Sequence, residues 1–206
     1  MNIRNRFSFV FCSILAMLLL NGCRSDIEWS KDTPFGKMQK DASKIMENDG
    51  LATVGVGVSS TIQTALEKAK LRARTEMAQI IETKIESLRK DFAEEIGENK
   101  VAEYNAMFTA TTKAIASQVL HGTVPRQIEY RSEGGKTTAW VLMVQNPQVV
   151  ADFLQKQADA QQALYTRFRA SEAFAELKDE IERFEEYKRS QPWLNLPASS
   201  QRAKQE

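Results

Sequence analysis

The 206-residue chain has the size of one globular domain with appendages, because domains usually contain about 100–150 residues. Its formal net charge is +1, and no dense basic block indicates nucleic-acid binding. Two cysteines, Cys12 and Cys23, and a single histidine, His121, nearly exclude metal sites built from Cys/His clusters.

The N-terminus has the organisation of a secretory signal peptide. Arg4 and Arg6 form a basic region. The apolar segment 7–20 has 14 residues, fewer than the roughly 20 that a membrane-spanning helix needs. A basic region followed by an apolar segment of this length is typical of a signal. Residues 1–22 are therefore predicted to be removed from the mature chain.

The predicted signal ends in the residues LNGC, positions 20–23, which resemble a bacterial lipobox. There the cysteine thiol receives diacylglycerol as a thioether before cleavage, so the predicted lipid attachment site is Cys23. Acyl chains bind a membrane with about 0.8 kcal/mol per buried CH₂ group. Because Arg24 rather than an aspartate follows the cysteine, we expect sorting to the outer membrane, on its periplasmic face. The alternative is an ordinary signal peptide cleaved nearby, which would leave a free thiol.

The first segment of the mature chain, 23–50, is predicted to be a tether that leads into a short helix. Apolar residues share one face over 38–48, and Gly50 supplies a stop. The run LATVGVGV, residues 51–58, then predicts a strand.

A long helix is predicted from Thr61 to Ile96, because apolar residues recur at steps of three and four throughout. Ser60 and Gln63 have the spacing of a capping box at its start. At 1.5 Å per residue the helix would be about 54 Å long, so part of it should project beyond the sheet or pair with another helix. The segment Asn99–Leu120 also repeats helically and predicts the second arm of an antiparallel helical hairpin.

The apolar period then changes to two, which predicts a β-hairpin with strands at 122–131 and 137–145. Gly134 and Gly135 form the predicted turn, and Pro125 indicates an edge position or the start of a strand. The second arm contains AWVLMV, which is apolar on both faces. This pattern predicts a central strand covered on both sides.

The segment 147–190 is predicted to be a helical extension, with Asn146 as N-cap and Pro147 in the first helical position. Whether it forms one helix or breaks near Ser171 is open at this stage. Its apolar seam, Phe174 to Phe184, is flanked by charges, so it could fold back on the domain or pair with another copy as a coiled coil. Residues 191–206 are predicted to be disordered.

The glycines of GVGVSS, residues 55–60, raise the question of a phosphate site. Serine replaces the last small residue of the dinucleotide fingerprint, and no acidic residue after a second parallel strand follows about 20 residues on. Nor does a G-K-[ST] sequence follow. Nucleotide binding is therefore not predicted, and Gly55 and Gly57 are interpreted as allowing a helix to pack closely against the strand.

Other candidate residues have structural interpretations. His121 has no serine or cysteine partner that the sequence places beside it, and no nucleophile elbow is present. Arg72, Arg74 and Glu76 are interpreted as a solvated helix face or as members of interhelix pairs. We predict no catalytic residue, no cofactor and no metal site, so an enzyme is not expected.

A lipobox, a strand ending in VGVG, and a helix with Ala65, Ala69 and LRARTEMAQII (71–81) resemble the Lpp-twenty (FlgP-like) lipoprotein family. The resemblance covers about Leu51–Asn146. It implies an outer-membrane lipoprotein with flagellar relatives, and it supplies no catalytic residues. The chain departs from the compact family pattern by a helical excursion at about 82–120 and by the C-terminal extension.

Together these patterns predict an α+β domain at 51–146, with a three-stranded sheet packed by long helices in the order β-α-α-β-β-α. The expected function is a non-enzymatic structural or assembly role in the cell envelope, with flagellar association implied by the resemblance. Expected partners are the membrane, through the N-terminal lipid, and either a second copy of the chain or another envelope protein. The alternative function is a periplasmic module that binds peptidoglycan or another ligand in a groove between sheet and helices.

Overall fold

The computed structural model describes residues 33–96, 101–157 and 162–195. Within them the chain forms an α+β fold, as predicted. The helices are α1 (Pro34–Glu47), α2 (Ile62–Ile96), α3 (Val101–Gly122), α4 (Gln148–Gln157), α5 (Gln162–Arg169), α6 (Glu172–Ser190) and α7 (Pro192–Asn195). The strands are β1 (Leu51–Ser59), β2 (Pro125–Glu133) and β3 (Lys136–Gln145). The predicted signal peptide, Cys23 and Asn99, the predicted first residue of the second hairpin helix, lie outside the described residues.

The three strands form one antiparallel sheet in the order β1-β3-β2. The central position of β3 confirms the prediction from its two apolar faces. Gly134 and Gly135 have φ values of 55° and 73°, which a two-residue hairpin turn of type I′ requires. Pro125 both begins β2 and lies on the sheet edge, and the register shifts between Pro125 and Gln127. The predicted start of this strand at residue 122 was wrong, because α3 continues to Gly122.

Helices cover both faces of the sheet. Alternate side chains of a strand point to opposite faces, so Leu51 and Thr53 face α2 while Ala52 and Val54 face the other layer. That other layer consists of α1, the end of α6 and α7. Its buried side chains are Met38, Ala42, Ile45, Ala52, Val54, Leu142, Phe184 and Leu194.

Helix α2 confirms the predicted long helix, with 35 residues and a length of about 52 Å. Its first half lies on the sheet, and its second half packs against α3 as the predicted hairpin. The predicted capping box was wrong: Thr61 Oγ1 accepts the hydrogen bond from Thr64 N at 3.3 Å. Gln63 instead donates to Glu67 one turn further along the helix.

The far half of the α2–α3 hairpin has an aromatic core that it shares with α5 and α6. The Phe168 ring lies 5.3 Å from that of Phe92, 5.6 Å from that of Phe108 and 5.4 Å from that of Phe174, centre to centre. All three pairs are edge-to-face, a favourable arrangement for aromatic rings. This core explains how the hairpin can extend beyond the sheet without exposing its apolar stripe.

Helix α1 begins four residues earlier than the sequence predicted, so residues 34–37 belong to a helix and not to the tether. Thr33 Oγ1 accepts a hydrogen bond from Gly36 N at 3.1 Å, and Pro34 occupies the first turn. Proline is tolerated there because its missing N–H has no partner in the first turn of a helix.

The C-terminal extension is divided into several helices, which answers the question left open by its sequence. The chain turns at Ala170, and Ser171 Oγ accepts a hydrogen bond from Phe174 N at 3.2 Å, which starts α6. The predicted disorder was wrong for residues 192–195, which form a helical turn with Leu194 only 2% exposed. The remainder of that predicted tail lies outside the described residues.

The apolar seam of α6 folds back on the domain. Leu177 and Phe184 are 1% and 2% exposed, and Phe184 packs where Gly50 leaves space beside the end of α1. Two ion pairs join α6 to the rest of the domain. Lys84 of α2 pairs with Glu180, and Arg183 Nε lies 2.5 Å from Asp49 Oδ2, just after α1. Of the two interpretations of the seam, intramolecular packing is the one observed.

Candidate functional site

The glycines of β1 serve close packing against α2. A Cβ atom on Gly55 would lie 2.7 Å from Ala73 N and still closer to Ala69 O. On Gly57 it would lie 2.6 Å from Ala69 N. Real Cβ atoms do not approach that closely, so helix backbone occupies the space where a glycine-rich phosphate site would hold its ligand. Thr53 Oγ1 joins the same contact by donating to Ala73 O at 2.9 Å.

Two basic side chains of α2 bind the outer edge of β1. Arg72 Nη1 donates to Val56 O at 2.7 Å, and Lys68 Nζ donates to Val58 O at 3.2 Å. The four-residue spacing on the helix matches the two-residue spacing on the strand, because both elements advance by about 6 Å over those intervals. These cations occupy backbone acceptors that would otherwise be available to another strand.

Arg74 binds a backbone carbonyl, whereas the sequence was interpreted as placing it on a solvated helix face or in an interhelix pair. Its Nε and Nη2 atoms donate to Thr123 O at 3.3 and 3.0 Å. The bond fixes the connection between α3 and β2 against the middle of α2. No sequence pattern predicts this contact, because the acceptor is a backbone carbonyl 49 residues away. Glu76 is an exposed residue of the same helix, and His121 lies in the last turn of α3.

A cavity of about 380 Å³ lies where α3, β2, β3 and α4 meet. Val119 and Val149 form a buried apolar side, at 2% and 8% exposed, and Arg126 is the ionisable side chain of the described lining. The full lining is Gln118, Val119, Thr123, Val124, Arg126, Val144, Gln145 and Val149. Val124 is 59% exposed at its mouth. This composition suits a ligand that has hydrogen-bond acceptors or a negative charge beside an apolar part.

A second groove, between α2 and α3, is lined by polar side chains, and three of them, Thr83, Thr112 and Glu86, have hydrogen-bond partners within the helices. Thr83 and Thr112 donate their hydroxyl groups to backbone carbonyls of their own helices. Glu86 accepts hydrogen bonds from Arg89, which hold the pKa of that carboxyl below its ordinary value. The groove therefore has the character of a solvated seam between helices.

A third depression contains carboxylates at the junction of α2 and α6. Its lining is Asp91, Glu94, Glu95, Glu172, Ala173 and Glu176. The Glu95 carboxylate accepts backbone N–H groups of Glu172 and Ala173, both at 3.0 Å, so it caps the N-terminus of α6. In the described part of the chain no group of three or more histidine, cysteine, aspartate and glutamate residues is placed to hold a metal ion.

Over residues 33–96, 101–157 and 162–195, every helix is too short or too polar to cross a membrane. The predicted attachment site, Cys23, precedes the first described residue by ten positions (33 − 23). The sequence had indicated neither the cavity beside Arg126 nor the cap at Glu95. Comparisons of the chain with protein-family models, with curated proteins and with solved structures found no match.

Proposed function

We propose that this chain is a lipoprotein of the bacterial outer membrane, anchored through acyl chains on Cys23, with a structural or assembly role in the cell envelope. The LNGC sequence at 20–23 is the observation that carries the proposal. The position of the fold supports it, since the helix cap Thr33 lies only ten positions (33 − 23) after Cys23. Ten residues reach at most about 35 Å, so the anchor would hold the folded part near the membrane surface.

The packing of the protein interior supports a structural role over a catalytic one. The layer between β1 and α2 is filled by backbone contact, and aromatic rings fill the far half of the helical hairpin. Among the grooves of the described residues, the one between α2 and α3 and the one between α2 and α6 have carboxylates bound by an arginine side chain or by helix N–H groups. These arrangements stabilise long helices, which suit a spacer or an assembly module.

Membrane fractionation tests the anchor. Cys23→Ala should move the chain out of the outer-membrane fraction or leave it as an uncleaved precursor, because the thiol that receives the lipid is absent. Cys12→Ala is the matched control, since it removes the other thiol within the predicted signal, and it should leave the chain in the outer membrane. Equal outer-membrane recovery of both variants would contradict the proposal.

Within this role we propose association with a flagellum, which rests on the resemblance of residues 51–146 to the Lpp-twenty family. A strain that lacks the gene should swim poorly or assemble defective flagella. Normal motility with normal flagella would remove the flagellar part of the proposal and leave the lipid anchor unaffected.

The cavity beside Arg126 supports a second candidate, a periplasmic binding module for peptidoglycan fragments. A guanidinium group and the amides of Gln118 and Gln145 can bind the carboxylates and amides of a muropeptide. If so, muropeptides should raise the melting temperature of the protein, and Arg126→Ala should abolish that rise. Lys113→Ala, in the groove between α2 and α3, is the control and should retain it.

A further inference from the structure

The two edges of the sheet differ in their neighbours in the described part of the chain. Strand β1 has its outward carbonyls at Val56 and Val58 bound by Arg72 and Lys68. Strand β2 is the opposite edge, with β3 as its strand neighbour among the described residues. An edge strand offers a row of backbone N–H and C=O groups to a further strand.

The hairpin turn determines which groups of β2 point outward. A two-residue turn makes Glu133 and Lys136 a hydrogen-bonded pair, and such pairs alternate along an antiparallel ladder. The backbone groups of Ile128, Tyr130 and Ser132 therefore face away from β3. The Pro125 start and the register shift beside it restrict regular pairing to residues 127–133.

The side chains of this segment are complementary to a second copy of the same strand. If two copies of β2 pair in antiparallel fashion about a two-fold axis through Tyr130, Glu129 of each copy lies opposite Arg131 of the other. The pairing then contains two such opposite-charge pairs. Ile128 would then lie opposite Ser132, with both sets of outward backbone groups in register. Opposite charges at directly facing positions stabilise an antiparallel pair. The Glu129 carboxylate also accepts a hydrogen bond from Gln127 Nε2 at 2.8 Å.

Antiparallel registers whose two-fold axis passes through a neighbouring residue lack this complementarity of charge. An axis through Glu129 or through Arg131 places that residue against its own copy, with like charges in direct opposition. An axis through Ser132 pairs Arg131 with Glu133, but its ladder runs into the left-handed turn glycine Gly134. Only the register on Tyr130 uses all seven residues from 127 to 133.

We propose that β2 pairs with β2 of a second copy, which forms a continuous six-stranded sheet in the order β1-β3-β2-β2-β3-β1. This inference rests on the proposed assembly role and names its partner and its surface. The association is weak, because the ion pairs lie at a sheet edge that is open to solvent, and lipid anchoring would raise the local concentration of the chain.

Sedimentation equilibrium of the full chain in a mild, density-matched detergent tests the proposal. The wild-type chain should dimerise reversibly, and Glu129→Arg or Arg131→Glu alone should weaken dimerisation by about tenfold, because like charges then face each other twice. The double variant Glu129→Arg/Arg131→Glu should recover the wild-type affinity. Amide hydrogen exchange at Ile128, Tyr130 and Ser132 should slow as the protein concentration rises.

Glu133→Arg is the control, since it makes the same charge change opposite Gln127 and should leave dimerisation unaltered. A wild-type monomer at all accessible concentrations would overturn the proposal. So would a dimer that is insensitive to both single variants, a double variant that fails to recover, or a loss of affinity with Glu133→Arg. A monomer that still carries lipid on Cys23 would refute the strand pairing alone and leave the anchor intact.

Discussion

At the scale of single residues, Gly55 and Gly57 allow α2 to pack directly against β1. Helix α2 lies so close to β1 that the backbone of Ala69 occupies the position of any side chain at either glycine. The alanines at 65, 69 and 73 are each 0% exposed, which completes a contact between small residues on both sides. The sequence indicated this role because the glycines and the alanine stripe are adjacent in the chain.

Gly55→Ala and Gly57→Ala should each lower the free energy of unfolding by about 2–4 kcal/mol, because the new methyl group forces the helix away from the sheet. Chemical denaturation measures the change. Gly134→Asn is the control, since it lies at a left-handed turn position with open space around it, and its effect should stay below about 0.5 kcal/mol. Equal effects at all three positions would refute the close-packing account.

Asp41 on α1 makes stability depend on pH. Burial raises the pKa of this carboxyl above its ordinary value, against the opposing attraction of Lys44 and Lys40. The pKa of Asp41 is therefore higher in the folded chain than in the unfolded chain. Its contribution to the free energy of unfolding is complete below the unfolded pKa and is lost as the pH rises through the folded pKa.

Asp41→Asn should therefore raise the melting temperature at neutral pH. The difference in melting temperature between the variant and the wild-type chain should vanish below the ordinary aspartate pKa of about 3.9. At that pH the carboxyl of Asp41 is protonated in both the folded and the unfolded chain. Thermal unfolding across this pH range measures it. A variant that is less stable at neutral pH would show that the attraction to the lysines outweighs burial.

At the scale of elements, Glu95 joins the end of α2 to the start of α6. Its carboxylate accepts two backbone N–H groups of α6, beside the cap from Ser171. Glu95→Ala should cost about 1 kcal/mol and should speed hydrogen exchange at the first amides of α6. Glu94→Ala, an exposed neighbour, should change the free energy of unfolding by less than about 0.5 kcal/mol. Similar exchange in both variants would refute the cap.

The elements that periodicity defines well were predictable, and those that long-range contacts define were not. The long helix, the helical hairpin and the central strand β3 follow from patterns within single segments. The break at Ala170 is harder to predict, because apolar residues continue on both sides of it. The cap at Glu95 and the bond from Arg74 to Thr123 O join residues 77 and 49 positions apart. No local pattern reports such pairs.

The cavity beside Arg126 was unpredictable for the same reason. Its lining comes from four elements and the loop before β2, and the valines, glutamines, threonine and arginine that they contribute form no motif in the sequence. The lipid attachment site stays a prediction of the opposite kind, since it rests on a four-residue sequence that lies outside the described residues. A short motif can be recognised within one segment, whereas a cavity depends on how several elements meet.

At the scale of the whole molecule, we propose an N-terminal lipid anchor on a domain whose sheet has the outward carbonyls of β1 bound by α2 and the strand β2 at its other edge. The central claim is the anchor, because the assembly proposed at β2 would take place where the lipid holds the chain. Mass spectrometry of the protein purified from bacterial membranes tests this claim most directly. The account predicts a mature chain that begins at Cys23, with its mass raised by a diacylglycerol thioether. A chain that begins at another residue, or a Cys23 with a free thiol, would contradict it.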